Sequence, residues 1–305
     1  MSSQQVFIVG AAGQVGRALL ASRPDRDVVP LTSDDIDIRS DDSVREALAG
    51  IAPGDVVINA AGYTAVDAAE SDREAAWAVN ADGPANLAAV TGASGARLIH
   101  LSTDYAYATT ALGDDGAPRP FEPADETVEP ATVYGASKLE GDRAAQRADP
   151  ATVVVRTAWV FTGGRGDADF VATMVRLETE RDVVRVVDDQ VGSPTYAPDL
   201  AKALWELVDR LDSPALAAGA VVHATNAGAT SWWELARTVF AEVGADPERV
   251  QPCTTDEFPR PAPRPSYSVL SGASWAAAGL SPLRSWRDAV HDSLTARSDD
   301  HGLLG

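Results

Sequence analysis

Tyr134 and Lys138 stand four positions apart in VYGASKLEG, residues 133–141, with only Gly135, Ala136 and Ser137 between them. On a helix that spacing puts both side chains on one face. A phenol, with an ordinary pKa of about 10, donates poorly to a carbonyl at neutral pH unless its phenolate is stabilised, and a neighbouring ammonium does that. The competing reading is a structural tyrosine beside a solvent-facing lysine. Against it stands the chain's own usage: Lys138 and Lys202 are the only lysines among 25 basic residues, and a compact ammonium does not interchange with a planar guanidinium. Upstream, the run LIHLSTDY ends with Ser102 and Thr103 at what a parallel sheet would make its carboxyl edge, where ligands bind and either hydroxyl can reach a substrate carbonyl.

A second constellation lies at the start. VFIVGAAGQVGRALL holds Gly10, Gly13 and Gly16 between an apolar run and a helical one. Glycines there allow a tight turn and a close approach of backbone to a pyrophosphate resting on the N–H groups of the helix N-terminus. The GxxGxxG spacing by itself also suits a purely structural turn. After the second predicted strand come Thr32, Ser33, Asp34 and Asp35, which leave open whether a ribose hydroxyl or a 2′-phosphate is preferred. Asp37 and Ile38 follow, placed to flank an adenine ring or to serve as a solvated acid and a core isoleucine.

The elements that must position these groups alternate. Buried-looking runs such as QVFIVG, DVVINAAG, ARLIHLS and TVVVRTAW are separated by amphipathic stretches, which predicts βαβ units, an α/β fold and a doubly wound parallel sheet of Rossmann type. The run EAAWAVNADGPANLAAVTGA reads as one helix. Residues 105–132 read as a long surface loop, and the Pro-rich residues 256–271 as an irregular connection. The organisation expected is a dinucleotide domain over 1–160 with returning segments at roughly 182–225. A smaller, discontinuous substrate region follows at about 161–181 and 226–297, and then a disordered tail, 298–305.

Composition narrows the classes. Cys253 is the only cysteine among 305 residues, so no intrachain disulfide forms and no Cys-based zinc site exists. His100, His223, His291 and His301 lack metal-ligand spacing, and no structural metal is predicted. His100, on an apolar strand without a carboxylate in view, reads as a core histidine. A net charge of −20 repels phosphate backbones, so neither nucleic acid nor an anionic membrane is an expected partner. The start, MSSQQVFIVGAAGQVG, has no basic segment ahead of its short apolar run, and no stretch reaches membrane-spanning length. A soluble cytoplasmic protein is expected.

Taken together, GAAGQVG, GYTAVDAAES, HLSTDY, VYGASKLEG, VVRTAWVFTGG, DDQVGSPTYAPDLA and RPAPRPSYSVLS resemble the extended short-chain dehydrogenase/reductases, and within them the dTDP-4-dehydrorhamnose reductase family, from about Val6 to Trp286. The resemblance implies Tyr134 as proton donor, Lys138 as its electrostatic partner and nicotinamide-ribose ligand, and Thr103 as a tuning hydroxyl. It implies NADPH, with NADH as the alternative, held by Gly10, Gly13, Gln14 and Val15, by Asp37 and Ile38, by Gly62, Tyr63 and Thr64, and by Tyr134 and Lys138. A nucleotide sugar would meet Thr103, Asp104 and Trp159, with Val66 alongside. Some members are described with a divalent metal at a subunit interface, but no motif here assigns its ligands. A monomer or homodimer is implied. One departure stands out: Ala106, Tyr107, Ala108 and Thr109 replace the family's usual Val-Phe-Asp-Gly. Other extended reductases or epimerases on different nucleotide sugars, and a non-catalytic NADP-binding regulatory subunit, share much of this pattern.

Overall fold

The computed structural model describes residues 4–107, 110–125, 127, 130–164 and 168–299; Ala108 and Thr109 of the departing loop, and tail residues 300–305, lie outside them. In chain order the first half runs β1 (Gln5–Val9), α1 (Gln14–Ala21), β2 (Asp27–Leu31), α2 (Asp41–Ala47), β3 (Val56–Asn59), α3 (Val66–Ala69), α4 (Arg73–Trp77), α5 (Gly83–Ser94), β4 (Arg97–Thr103), α6 (Val133–Ala148) and β5 (Val153–Thr157). The second half runs β6 (Val160–Phe161), α7 (Phe170–Glu180), β7 (Val184–Val187), β8 (Val191–Gly192), β9 (Thr195–Tyr196), α8 (Ala197–Arg210), β10 (Val221–His223), β11 (Thr230–Ser231), α9 (Trp232–Glu242), β12 (Val250–Cys253), α10 (Ala273–Ala277) and α11 (Trp286–Asp299).

Six strands form one parallel sheet in the order β10-β5-β4-β3-β1-β2. β3 and β5 are buried along their whole length, as parallel strands covered on both faces must be. Alternation assigns the faces: Val6 and Ile8 join Leu200 and Leu204 of α8, while Phe7 and Val9 join Leu87 of α5 and Ala145 of α6. The chain winds from β1 to β2 on one side and from β3 onward on the other. This leaves a crevice at the carboxyl ends of β1 and β3, the place where open α/β sheets take ligands.

Three expectations need revision. Strand 184–187, expected among the returning segments of the dinucleotide domain, pairs instead with β12 in a separate two-stranded sheet. Its burial alternates, with Arg185 exposed, so it offers one apolar face and packs into the cluster of Val184, Val186, Leu235, Phe240 and Val250. The single helix read over 74–93 is broken by a π-helical turn, Ala78–Asp82. Pro84 has no N–H to give the carbonyl of Asn80, so the regular ladder fails there. Finally, the loop after β4 is anchored inward. Tyr107, 4 % exposed, stacks on Phe121 at 4.3 Å, and its hydroxyl meets His223 Nε2 at 2.8 Å and the Glu122 carbonyl at 3.0 Å.

Candidate active site

The glycines of the first turn divide their work. Gly10 has φ of 83°, and a Cβ there would meet Ala61 N at 2.6 Å; a Cβ on Gly16 would meet the Gly10 carbonyl oxygen at 2.3 Å. Both are required by packing, and Gly10 also by its left-handed backbone. Gly13 is exposed and caps α1 without any side-chain hydrogen bond, so the cap leaves the first N–H groups of the helix for an acceptor such as a diphosphate. Val15 packs against the core, and the Gln14 amide reaches across to Asp169 Oδ2 at 3.2 Å. Asp37 is held in a fork by Arg39, with both bonds 2.8 Å. Ile38 is buried under α5, where a Cβ on Gly83 would meet it at 2.6 Å. The isoleucine side chain is therefore committed to the core.

The loop after β3 carries Gly62, Tyr63 and Thr64, and Asn80 grips it from the π turn. Asn80 Oδ1 accepts from Tyr63 N at 2.8 Å, while its amide donates to Tyr63 O at 3.0 Å and to Ser137 Oγ at 3.1 Å. A Cβ on Gly62 would find only Asn80 Oδ1 at 3.4 Å and Lys138 Nζ at 3.9 Å, so this loop borders the lysine directly.

Helix α6 presents Tyr134 and Lys138 beneath the same edge. Thr132 caps it by accepting from Gly135 N at 2.9 Å, and Glu70 of the α3–α4 connection accepts from Val133 N at 2.9 Å. Gly135 and Gly141 let the helix lie close: added Cβ atoms would fall 2.5 Å from the Tyr105 carbonyl and against that of Asn80. Lys138 is buried and donates to the Leu101 carbonyl at 2.7 Å. Tyr134 lies edge-on to Tyr105, ring centroids 5.5 Å apart, with its hydroxyl near enough to the Thr103 side chain to be acidified by it. Thr103 Oγ1 in turn donates to Asp104 Oδ1 at 3.0 Å. The half-buried phenol thus stands beside a buried pair of hydroxyl and carboxylate.

Burial dominates the electrostatics. It pushes the Tyr134 phenol up to about 12, opposed by the nearby Thr103 hydroxyl, and draws Lys138 down to about 8 against the field of Asp142. At neutral pH the phenol carries its proton and Lys138 remains mostly an ammonium. Asp104 is pushed up to about 6 by burial, opposed by the hydroxyls of Ser268 and Thr103. His100 does have a carboxylate nearby, contrary to expectation: Asp142 Oδ1 lies 3.7 Å from its Nε2. Burial and Lys138 hold the ring well below its ordinary pKa, so it stays neutral.

The side where a substrate is expected is aromatic. Trp159 adopts φ of 47° and stacks on Trp232 at 3.5 Å. Gly192 makes room for its ring, since a Cβ there would fall 2.4 Å from Trp159; that settles why glycine stands in DDQVGSPTY. Beside this stack, Tyr105, Phe170, Met174, Trp232 and Phe258 line a cleft together with Arg185, Arg260 and Arg264. Arg264 and Arg260 both turn toward Asp67, at 2.9 and 4.0 Å, and Ala262 N also donates to it. Asp67 and Glu70 have no visible role in the sequence; here they fasten the Pro-rich segment and α6 to α3. Val66 opens that helix. Among the described residues no three acids, histidines or cysteines gather as a metal site would require.

A family described as the RmlD substrate binding domain matches residues 4–298. The chain belongs to this family. It is 52% identical over 305 residues to the dTDP-4-dehydrorhamnose reductase of Mycobacterium tuberculosis, covering 99% of this chain and 96% of that protein. It is 39% identical to the dTDP-4-keto-6-deoxy-D-glucose reductase of Streptomyces niveus, covering 96% and 98%. Among solved structures, the dTDP-4-dehydrorhamnose reductase of Bacillus anthracis in complex with NADP superposes with a TM-score of 0.86 at 31% identity, covering 97% of this chain and 100% of that one.

Within the RmlD family fold, the residues that sequence reasoning missed are those acting on others: Asn80, Asp142, Asp67, Glu70 and Asp169. Asn80 alone left a trace, in the proline four positions later. Asp104 yields a stability prediction. Its carboxyl ionises from about 3.8 in the unfolded chain but only at about 6 when folded, so it costs stability that grows as pH rises between those values and stays constant above them. Asp104→Asn should therefore be more stable than the parent by roughly 2–3 kcal/mol at about pH 7, with the gap closing near pH 4. Urea titrations at both pH values measure this; an equal gap at both contradicts it.

Proposed function

We propose that the chain reduces the C4 keto group of dTDP-4-dehydro-L-rhamnose to give dTDP-L-rhamnose, using NADPH, in the cytoplasm. The observation that carries this is the grouping of Tyr134 with the hydrogen-bonded pair Thr103–Asp104 and with buried Lys138 on the same helix, at the sheet's carboxyl edge. The names of the close relatives and the NADP held by the Bacillus anthracis protein support it.

When bound, the reduced nicotinamide supplies a hydride. Gly13 and the α1 N-terminus would hold the diphosphate, while Lys138 and the Gly62–Thr64 loop would border the nicotinamide ribose. The chain's other work is proton handling. Tyr134, protonated at neutral pH, gives its proton to the oxygen of the reduced carbonyl; Thr103 orients that oxygen and the phenol; the Lys138 ammonium stabilises the phenolate left behind. Trp232, backed by Trp159, lines the cleft where sugar or base would pack. Arg185, Arg260 and Arg264 line the cleft; Arg185 is paired with Glu257 and the other two share Asp67, which leaves one net positive charge there for a nucleotide diphosphate against the net charge of −20.

A second reading, reduction of a different dTDP-linked 4-keto sugar, is favoured by the Streptomyces niveus relative. The departure at Tyr107 weighs little here, because its ring is packed on Phe121 and His223. Rates of NADPH and NADH oxidation with dTDP-, GDP- and UDP-linked keto sugars, each with and without a chelator, separate the cases. Fastest turnover is expected with dTDP-4-dehydro-L-rhamnose. Turnover confined to another sugar overturns the first reading, and cofactor binding without any turnover points to a regulatory subunit.

A further inference from the structure

Asp169 collects more donors than a helix cap needs. As the N-cap of α7 it accepts from Ala172 N at 2.8 Å through Oδ1. Its other oxygen, Oδ2, accepts from Thr162 N and Thr162 Oγ1, both at 2.9 Å, from Gly163 N at 3.2 Å, and from Gln14 Nε2 at 3.2 Å. The carboxylate is 6 % exposed, so each of these bonds involves a charge shielded from water.

The partners come from two ends of the site. Thr162 and Gly163 directly follow β6, which starts one residue after Trp159, whose φ of 47° is a conformation a tryptophan holds only when its surroundings impose it. Gln14 is the first residue of α1, 155 positions away in sequence, in the turn where a cofactor diphosphate would rest. Capping α7 needs only the bond from Ala172. The bond from Gln14 adds nothing to that cap; it joins the glycine turn to the backbone that aims Trp159.

We propose that Asp169 is a positioning residue that, through Gln14, links occupancy of the cofactor turn to the placement of Trp159, which stacks on the cleft residue Trp232. A diphosphate on the α1 N-terminus fixes the Gln14 backbone and with it the amide. The amide holds the Asp169 carboxylate, whose remaining bonds set residues 162–163 and the strand leading back to Trp159. Such a link is reciprocal: each ligand must tighten the other by the same factor. The inference rests on the reductase reading for the identity of the two ligands.

The test is calorimetric binding of dTDP to the full chain with and without saturating NADP+. The wild-type protein should bind dTDP at least about fivefold more tightly with NADP+ present, the lower end of ordinary site-to-site coupling. Gln14→Leu should bring that ratio to about one. Asp169→Asn, which keeps a good helix cap but turns an amide N–H₂ toward one set of donors, should do the same. A purely structural role predicts a lower melting temperature in Asp169→Asn with the ratio unchanged, and that result overturns the proposal. So does a wild-type ratio of one, or a ratio retained in Gln14→Leu. Because the ratio is measured without turnover, a wild-type protein that shows it yet reduces no keto sugar strikes the reductase reading alone.

Discussion

Tyr134→Phe should retain cofactor binding and lose at least about a hundredfold in kcat, the scale for removing a positioned general acid. The change is nearly isosteric. Phenylalanine keeps the ring that lies edge-on to Tyr105 and the stem on α6, and removes only the hydroxyl near Thr103. What is lost is a proton held ready: burial pushes the phenol up to about 12, so essentially every molecule at neutral pH has a loaded donor. A donor that is this weakly acidic still suffices for an alkoxide, which is far more basic. Stopped-flow consumption of NADPH under single-turnover conditions reads the chemical step, and a near-normal rate in the variant would remove Tyr134 from the role of donor.

Lys138→Met should damage both binding and chemistry. In the proposed mechanism the Lys138 ammonium, one turn along α6 from Tyr134, offsets negative charge left on the phenol as its proton departs, and removing such charge costs on the order of a hundredfold in kcat. Cofactor affinity should also weaken, by about tenfold, the equivalent of one charge-assisted hydrogen bond. Stability is a poor readout here, since two effects oppose each other: the Leu101 carbonyl loses its donor, while the cost of burying the ammonium, which draws its pKa down to about 8, disappears. The pH profile separates them. Wild-type activity should decline above about pH 8 as Lys138 loses its proton, and this limb should be missing in Lys138→Met. His100 stays neutral beside it. Arg156, bonded to Asp142 Oδ2 at 3.0 Å, holds the carboxylate that keeps the lysine charged.

Much of this site was legible because each part has a local pattern. The strands show as apolar runs, Gly10 and Gly16 mark a turn that only glycine fits, and the spacing of Tyr134 and Lys138 is itself helical. The parts that escaped depend on partners distant in sequence. Asp67 reads as a surface acid until Arg264 and Ala262, from the Pro-rich segment, fold onto it. Ile38 could serve either an adenine ring or the core, and only the proximity of Gly83 decides for the core. The strand at 184–187 has an apolar period that several sheets would accept; its exposed Arg185 excludes the doubly covered sheet only once that sheet is known. Asn80 is the instructive intermediate, since Pro84 announces a break in the helix without revealing that the freed asparagine grips Tyr63.

The central claim is hydride addition at C4 of the sugar with Tyr134 protonating the oxygen beside it. The direct measurement is turnover of freshly generated dTDP-4-dehydro-L-rhamnose with NADPH carrying deuterium at the transferred position, followed by NMR of the product. The account predicts dTDP-L-rhamnose with one deuterium on C4, formed one for one with NADPH consumed, and at least about a hundredfold more slowly by Tyr134→Phe. Deuterium at another carbon, or NADPH consumed without labelled sugar, contradicts it.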